Sequence, residues 1–161
     1  MYKLTKQDGT TRNNTRWEVG KKNTLAPCEN PELCSGTVLH AYKNVNLGLL
    51  LNQIHGNIVN PRLFEVSGDV VVEDFGKCGS FELEVKKELS IPDWFTGKNK
   101  TDVMIQFAIL CAESVVKYSD GPEAQSAIDA AKKYLKTKTA HAADAARAAA
   151  RAARAAARAA H

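Results

Sequence analysis

Five side chains on either side of one predicted helix have the types that bind small anions. They are His40, Tyr42, Lys43, Arg62 and Lys77. Ammonium and guanidinium groups donate charge-assisted hydrogen bonds to phosphate oxygens, and imidazole and phenol groups add further donors. If the strand that ends at Tyr42 packs beside the β-rich stretch 62–89, these groups line a pocket of phosphate size. The alternative interpretation is that they are ordinary surface and edge-strand residues.

An aromatic pair after Pro92 is a further candidate for ligand binding. Trp94 lies beside Phe95, and an indole ring offers a flat face on which a nucleobase can stack. The alternative is a pair of aromatic residues in a core, where such rings are usually found. Trp94 is therefore a candidate ligand-binding residue that depends on its place in the fold.

The other reactive residues predict neither catalysis nor a metal site. The sequence has no Ser-His-Asp order, paired-carboxylate motif, Walker loop or dinucleotide fingerprint, so we expect no catalytic residue and no cofactor. Five residues separate Cys28 from Cys34, and five separate Cys34 from His40, whereas zinc sites usually contain a closer cysteine pair. Although Cys78 or His55 could supply a fourth ligand, we expect no metal and instead buried, reduced thiols.

The C-terminal stretch 139–161 combines an alanine surface with a line of cations. Four arginines lie three or four residues apart: Arg147, Arg151, Arg154 and Arg158. Together with Asp144 and His161 they fall on one stripe of a helix. All the remaining positions from 142 onward are alanine, the best helix former. One interpretation is that the arginines bind an anion or a partner. The alternative is that they form a solvated face that keeps the alanine helix soluble. Small side chains let another backbone approach closely, so the alanine surface favours docking on the third predicted helix or on a copy of itself, which would make a homo-oligomer.

Charge is distributed unevenly along the chain. The net charge is +4, of which residues 140–161 carry +3 and residues 1–139 only +1. A basic tail on a nearly neutral body indicates an anionic partner, such as a nucleic acid. The alternative is that the charges only keep the tail soluble. No stretch is apolar and long enough to span a bilayer, and the N-terminus does not look like a signal peptide. We therefore expect a cytoplasmic protein with no membrane partner.

Hydrophobic alternation predicts an α+β fold, in which helices cover a small antiparallel sheet. Two turn signals divide residues 62–89 into three β-rich runs, for which a three-stranded antiparallel meander is the simplest arrangement. Residues 1–20 favour a hairpin with a second strand at 15–19, and residues 37–42 favour another strand. Residues 21–36 have little periodicity and predict an irregular connection.

Three helices are predicted before the alanine-rich tail. Asn46 is the expected cap of the first, whose apolar stripe consists of Leu47, Leu50, Leu51 and Ile54. Thr101 is the expected cap of the second, whose stripe consists of Met104, Phe107, Ala108, Cys111, Val115 and Tyr118. The third covers about residues 122–135. The chain therefore divides into two parts, an α+β body at 1–97 and a helical region at 98–161 that includes the tail helix.

Four short runs in this sequence carry a resemblance to known proteins. They are Trp-Glu-Val-Gly-Lys at 17–21, Leu-Cys-Ser-Gly at 33–36 with His40 shortly after, Arg-Leu-Phe-Glu-Val at 62–66 and Gly-Asp-Val-Val at 68–71. This pattern resembles a group of uncharacterised proteins of tailed phages and prophages, which often end in alanine-rich helical repeats. The spacing departs from the group where residues 37–39 separate Gly36 from His40. The resemblance implies a phage-encoded accessory protein, of a kind that often acts against host defence.

These observations lead to one leading hypothesis and two alternatives. The leading hypothesis is a non-enzymatic, oligomeric binding protein that inhibits a host defence protein or serves as a sponge for a nucleotide signal. Arginine suits that task because its planar group bonds phosphate oxygens in pairs. The first alternative is an ADP-ribosyltransferase-like enzyme that uses His40 and a glutamate. The second is a nucleic-acid-binding protein that uses the basic tail, with an affinity that depends steeply on salt.

Overall fold

The structure, a computed structural model, describes residues 1–116, 122–140 and 143–144. The chain divides into two compact units, Met1–Pro92 and Asp93–His161. The boundary expected from the sequence, after residue 97, lies just beyond this division. The predicted tail helix lies almost entirely outside the described residues, and so do its four arginines, Arg147, Arg151, Arg154 and Arg158.

The first unit contains one antiparallel sheet of seven strands. In chain order they are β1 (Tyr2–Thr5), β2 (Lys22–Thr24), β3 (Leu39–Tyr42), β4 (Arg62–Ser67), β5 (Val72–Glu73), β6 (Lys77–Ser80) and β7 (Glu82–Leu89). Their order across the sheet is β2-β7-β4-β1-β3-β6-β5, and every neighbouring pair is antiparallel. The predicted α+β class with an antiparallel sheet is confirmed.

The sheet curls strongly, because β6 and β7 are neighbours in sequence but not in strand order. Only Phe81 separates Ser80, at the end of β6, from Glu82, at the start of β7. Those two residues can be at most about 7 Å apart. Three strands lie between β6 and β7 in the sheet, which in a flat sheet would separate them by about 19 Å. The strands therefore wrap around a common interior.

Trp17 and Phe64 are the largest side chains of that interior. Both are fully buried, together with Leu83 and Val85 from β7. Nε1 of Trp17 donates to Oγ1 of Thr11 at 2.9 Å, so burial of the indole ring does not leave its N–H without an acceptor. Burial of each large aliphatic or phenyl side chain stabilises the fold by about 1.5–3 kcal/mol.

The meander predicted for residues 62–89 is wrong. β4 pairs with β1 and β7, whereas β6 pairs with β3 and β5. Leu4 of β1 stands opposite Leu63 of β4, and both side chains are buried. Turn signals mark where strands end, but the partner of a strand depends on which apolar faces can be buried together.

The predicted N-terminal hairpin is wrong in its second strand. Residues 15–19 contribute one isolated bridge, Thr10↔Arg16, and β1 pairs with β3 and β4 instead. β2 lies in the stretch that was expected to be irregular, and it forms a sheet edge beside β7. Its three residues, Lys22–Thr24, are all polar, so the hydrophobic pattern contains no sign of a strand.

The first helix, α1, covers Val45–His55, and its cap is Asn44 rather than Asn46. Oδ1 of Asn44 accepts hydrogen bonds from the backbone N–H groups of Asn46 and Leu47, at 2.8 and 3.3 Å. Both N–H groups belong to the first turn, where no helical carbonyl can accept from them. Two asparagines with equal capping ability are two residues apart here, and the extended backbone at Asn44 decides between them.

The face of α1 that packs inward differs from the predicted stripe. Gly48, Leu49 and Asn52 are buried, whereas Ile54 is 71% exposed. A Cβ atom at Gly48 would lie 2.9 Å from the ring of Tyr42, so the helix approaches β3 more closely than a larger residue permits. The glycine, rather than the leucines, therefore sets the rotation of the helix against the sheet.

The second unit contains two further helices within the described residues. They are α2 (Gly97–Val116) and α3 (Pro122–Thr137), and α2 begins about one turn before the expected cap Thr101. Within the ranges that the structure describes, no helix has both the length and the apolar character needed to cross a membrane.

The buried side of α2 also differs from its predicted stripe. Ile109 is buried, as is Ile128 of α3, whereas Ala108 and Cys111 of the predicted stripe are exposed. The apolar residues of α2 extend around much of its circumference, so periodicity alone does not identify the packed face.

Candidate functional site

A cavity of about 740 Å³ opens in the first unit. Four cationic side chains are among its lining residues: Lys3, Lys6, Arg12 and Lys77. His40 and His55 line it too, and none of its lining residues, all of which the structure describes, is Asp or Glu. Its volume falls in the range of small-molecule sites, about 300–1,000 Å³. The lining residues themselves therefore carry positive charge and no carboxylate, although Asp8 and Asp74, outside the lining, interact electrostatically with Lys6 and Lys77.

Strand pairing brings three of the predicted site residues together. His40 and Tyr42 are two residues apart in β3, so their side chains emerge from the same face of the sheet. Tyr42 stands opposite Lys77 in the register of β3 and β6, so Lys77 shares that face. All three residues line the cavity. The strand that ends at Tyr42 thus packs beside part of residues 62–89, through β6.

The turn before β6 positions Lys77. Oδ1 of Asp74 accepts hydrogen bonds from the backbone N–H groups of Lys77 and Gly76, at 2.6 and 2.8 Å, and these bonds lower the pKa of Asp74. The Lys77 side chain is buried, and its Nζ donates to Sγ of Cys34 at 2.8 Å. Among the described residues Lys77 forms no salt bridge. Its ammonium group therefore contacts a thiol rather than a carboxylate.

Cys34 and His40 are joined by a hydrogen bond. The backbone N–H of Cys34 donates to Nε2 of His40 at 2.9 Å, which places the proton of the neutral ring on Nδ1. Burial is the main cause that lowers the pKa of His40 to about 4, and the positive charges of Lys3 and Lys77 add to it. At pH 7 His40 is therefore neutral, with an Nδ1–H donor.

Lys3 reaches the cavity from the opposite face of the sheet, because it is Tyr2, its neighbour in β1, that stands beside Tyr42. Its Nζ donates to the backbone carbonyl of His40 at 2.6 Å and lies 4.4 Å from the ring centroid of Trp17. Burial lowers the pKa of Lys3 to about 8, because a carbonyl and an aromatic face replace only part of the hydration of an ammonium group. Lys3 is thus mostly charged at pH 7, and an anion beside it would stabilise the charged form.

The rings of Tyr42 and His55 stack on each other at the cavity. Their centroids are 5.9 Å apart and their planes differ by 12°. The hydroxyl of Tyr42 lies 3.3 Å from Nδ1 of His55. Burial raises the pKa of Tyr42 to about 12 and lowers the pKa of His55. The pair therefore presents a flat, uncharged aromatic surface next to the cationic groups.

Two of the predicted site residues form ion pairs away from the cavity lining. Nζ of Lys43 lies 2.9 Å from Oε2 of Glu73. Arg62 makes two hydrogen bonds to Glu88, from Nε at 2.8 Å and from Nη2 at 2.7 Å. Both cations are already matched by a carboxylate, so neither contributes unbalanced charge to a ligand.

The structure places Trp94 in the second unit, where it is half-buried. Its ring packs edge-to-face against Phe95, with centroids 5.4 Å apart. This is the geometry of a packed aromatic pair, and Trp94 is not among the residues that line the cavity.

Several cavity residues were missed by reasoning from the sequence. Lys3 stands opposite the fully buried Phe64, so it is a lysine on the inward face of a strand. The alternation of β1 gives the opposite signal, because it groups Lys3 with Thr5 on the polar side of the strand. Cys34 and His55 had no local signal, because they meet Lys77 and Tyr42 only through the fold.

The cysteines lie differently from what the sequence predicted. Cys28 and Cys34 are exposed, and so is Cys111, whereas Cys78 is buried; the expectation of buried thiols is wrong for the first two. In the ranges that the structure describes, no three His, Cys, Asp or Glu side chains come together in a way that could hold a metal ion. Comparison with protein families, with curated proteins and with solved structures finds no match to this chain.

Proposed function

We propose that this chain is a non-enzymatic binding protein whose first unit holds a small anionic ligand. The observation that carries the proposal is the cavity lining, which contains four cations and no carboxylate: Lys3, Lys6, Arg12 and Lys77. None of the four forms a salt bridge within the described part of the chain, whereas Lys22 and Lys43 of the same unit are paired with glutamates. A concave site whose lining is rich in cations without salt-bridge partners concentrates anions and bonds their oxygens.

A phosphate-bearing nucleotide is the ligand class that suits this lining best. Its phosphates would be bound by Lys77, which emerges on the same face of the sheet as Tyr42, and its base would lie against the stacked rings of Tyr42 and His55. His40 and Tyr42 supply neutral donors for further polar groups of the ligand. A volume of about 740 Å³ leaves room for more than an inorganic anion.

The wider role follows from the resemblance to phage proteins and from the tail. We place the protein in the cytoplasm of an infected cell, where it sequesters a nucleotide signal of host defence or inhibits a defence protein. The alanine-rich stretch 139–161 supports a homo-oligomer, because small side chains let helices approach closely. Four arginines on one stripe of that stretch would add an anionic partner surface.

Removal of the Lys77 charge should weaken ligand binding. Isothermal titration calorimetry would compare wild type with Lys77→Met, using mononucleotides, linear and cyclic dinucleotides and inorganic phosphate. A charge-assisted hydrogen bond contributes about 1.5–3 kcal/mol, so we expect at least a tenfold loss of affinity for the best nucleotide.

The matched control is Lys87→Met, since Lys87 is exposed and pairs with Glu65 at 3.0 Å away from the cavity lining. This variant should bind like wild type. Failure of every nucleotide and of phosphate to bind would overturn the proposal, as would an equal loss of affinity in both variants.

The two alternatives have less support. An ADP-ribosyltransferase-like enzyme would need a glutamate beside His40, and the cavity lining contains none. Nucleic-acid binding would depend on the four arginines of residues 139–161, all of which lie outside the described residues.

A further inference from the structure

The helix α1 is apolar on the side that faces away from its buried residues. Four large aliphatic residues share that side at helical spacing: Leu47, Leu50, Leu51 and Ile54. At 3.6 residues per turn they lie nearly opposite Leu49 and Asn52, which are buried. Ile54 is 71% exposed, and the three leucines are partly buried. A helix that is apolar on both sides is typical of a protein interior, so the outer side of α1 is suited to being covered.

Phe75 extends this apolar side. It lies in the turn between β5 and β6 and is 90% exposed. The next residue, Gly76, packs on α1, because a Cβ atom there would lie 2.6 Å from Cδ2 of Leu47 and 3.6 Å from Cδ1 of Leu51. The turn therefore places Phe75 next to the leucines of the helix. We call these five residues the α1 surface: Leu47, Leu50, Leu51, Ile54 and Phe75.

The α1 surface is uncharged, and charges of both signs lie at its margin. The eleven residues of α1 include no Asp, Glu, Lys or Arg, and the core of a protein interface is likewise depleted of charge. At the margin, Nζ of Lys43 lies 2.9 Å from Oε2 of Glu73, and Asp74 directly precedes Phe75. A two-fold interface brings a surface against its own copy, so charges of a single sign would repel each other there. An uncharged centre with a margin of mixed charge is complementary to itself.

The two edges of the sheet differ in the same sense. The edge strand β2 is polar throughout, and its Lys22 pairs with Glu82 at 2.8 Å. At the other edge, Val70 and Val71 directly precede β5 and are 44% and 38% exposed. Charged side chains protect an exposed strand from pairing with another chain, and an apolar edge lacks that protection. The apolar edge leads directly to Phe75, so it adjoins the α1 surface in the chain.

We propose that a second copy of this chain packs on the α1 surface through a two-fold axis, so that the first unit forms a dimer. The interface sets the apolar side of each α1 against its counterpart and removes Phe75 from water. Lys43 of each copy can then meet Glu73 or Asp74 of the other. A membrane surface is a poorer occupant, because those two carboxylates would face anionic headgroups.

The size of the α1 surface sets the strength of this dimer. The helix is about 16 Å long and about 10 Å wide, and an aromatic side chain buries about 150–250 Å². Each copy therefore buries about 500 Å², less than the roughly 800 Å² per partner of a standard interface. We expect a reversible dimer with a Kd on the order of 10 µM. The dimer depends neither on a ligand nor on residues 139–161, so this inference and the proposed function can fail separately.

Sedimentation equilibrium of the full-length protein over a wide range of concentrations would measure the association. Phe75→Glu and Ile54→Glu should each raise the Kd of the dimer at least about tenfold, because they remove apolar area and add like charges across the axis. Val19→Glu is the matched control, since Val19 is 58% exposed and lies beside β7, where the N–H of Gly20 donates to the carbonyl of Val85. This variant should associate like wild type. A wild type that stays monomeric, an unchanged Kd in Phe75→Glu, or an equal loss in Val19→Glu would overturn the proposal.

Photo-crosslinking tests the place of the interface without disrupting it. The photoreactive p-benzoylphenylalanine would replace Phe75 in one sample and Val19 in a control, each as a mixture of unlabelled and isotopically labelled protein. Mass spectrometry then separates crosslinks between two copies from those within one chain. We expect crosslinks between copies from position 75 to residues 45–55 or 71–75, and none from position 19. If position 75 yields only crosslinks within one chain, or crosslinks between copies only to residues 139–161, the α1 surface is not the interface.

Discussion

At the scale of single residues, burial decides what the ionisable groups of the cavity can do. It lowers the pKa of Lys3 to about 8 and that of His40 to about 4, and it raises that of Tyr42 to about 12. Each change favours the neutral form of the group, because water solvates a charge better than the protein interior does. At pH 7 His40 and Tyr42 are therefore neutral hydrogen-bonding groups, and the lysines supply the charge.

Acid should destabilise the protein through His40. Its folded pKa of about 4 lies below the ordinary value of 6.5, so the unfolded chain binds the proton more readily. The stability that the neutral His40 ring contributes is fully present above pH 6.5 and is lost as the pH falls toward 4. Because the ring is only half-buried, we expect the free energy of unfolding to fall by about 1–2 kcal/mol, less than a pKa shift of this size would give for a fully buried group.

Urea unfolding between pH 4 and pH 7 would measure this loss. His40→Gln keeps an acceptor for the backbone N–H of Cys34 but cannot be protonated, and carboxylates elsewhere affect both proteins alike. The stability difference between wild type and variant should shrink or reverse toward pH 4. A difference that stays constant across this range would contradict the role of His40.

At the scale of elements, the contact between the chain just after β4 and the start of β7 depends on Gly68, which has no side chain. A Cβ atom at Gly68 would lie 2.0 Å from the backbone carbonyl oxygen of Glu82 and 3.1 Å from Cδ2 of Leu83. Backbone atoms of a paired strand cannot move aside as a flexible side chain can. The close approach of β7 to the chain after β4 therefore requires glycine.

Gly68→Ala should destabilise the first unit by about 2–4 kcal/mol, because the added methyl group forces the two strands apart. The matched control is Gly36→Ala, where a Cβ meets no atom within 4 Å, so its effect should stay within about 0.5 kcal/mol. Urea denaturation would measure both. Similar stability of the two variants would show that β4 and β7 do not approach as described.

At the scale of the whole molecule, each unit has its own buried residues. The interior of the first consists of side chains from Met1–Pro92, with Trp17 and Phe64 the largest. The cavity is lined by residues of this unit alone. Folding of the first unit and the formation of its cavity should therefore not depend on residues after Pro92.

A fragment of residues 1–92 should fold by itself and keep the cavity. It contains one of the two tryptophans, Trp17, whose fluorescence reports on the interior. Trp94→Phe in the full-length chain is the matched control, since there too Trp17 alone is observed. Both proteins should show one cooperative urea transition with a similar midpoint. A fragment with the fluorescence of an exposed tryptophan and no transition would contradict the independence of this unit.

Local patterns in the sequence were sufficient to predict the fold class and three residues that line the cavity. Alternation over 37–42 and 62–89 predicts strands, and charge with hydrogen-bonding type identifies His40, Tyr42 and Lys77. These features depend on residues close in the chain, because strand periodicity and turn chemistry are local properties. The composition of residues 139–161 predicts a helix from propensity alone, and that stays a prediction because nearly all of these residues lie outside the described ranges.

The tertiary structure alone decided which elements meet. The curl that places β1 between β3 and β4, the face of α1 set by Gly48, and the contact of Cys34 with Lys77 across 43 residues all depend on long-range packing. By residue type alone, Lys43 and Arg62 are as suitable as Lys77 for binding an anion, but the fold pairs each of them with a glutamate. The type of a residue can be read from the sequence, but its burial and its partners result from the packing of distant segments.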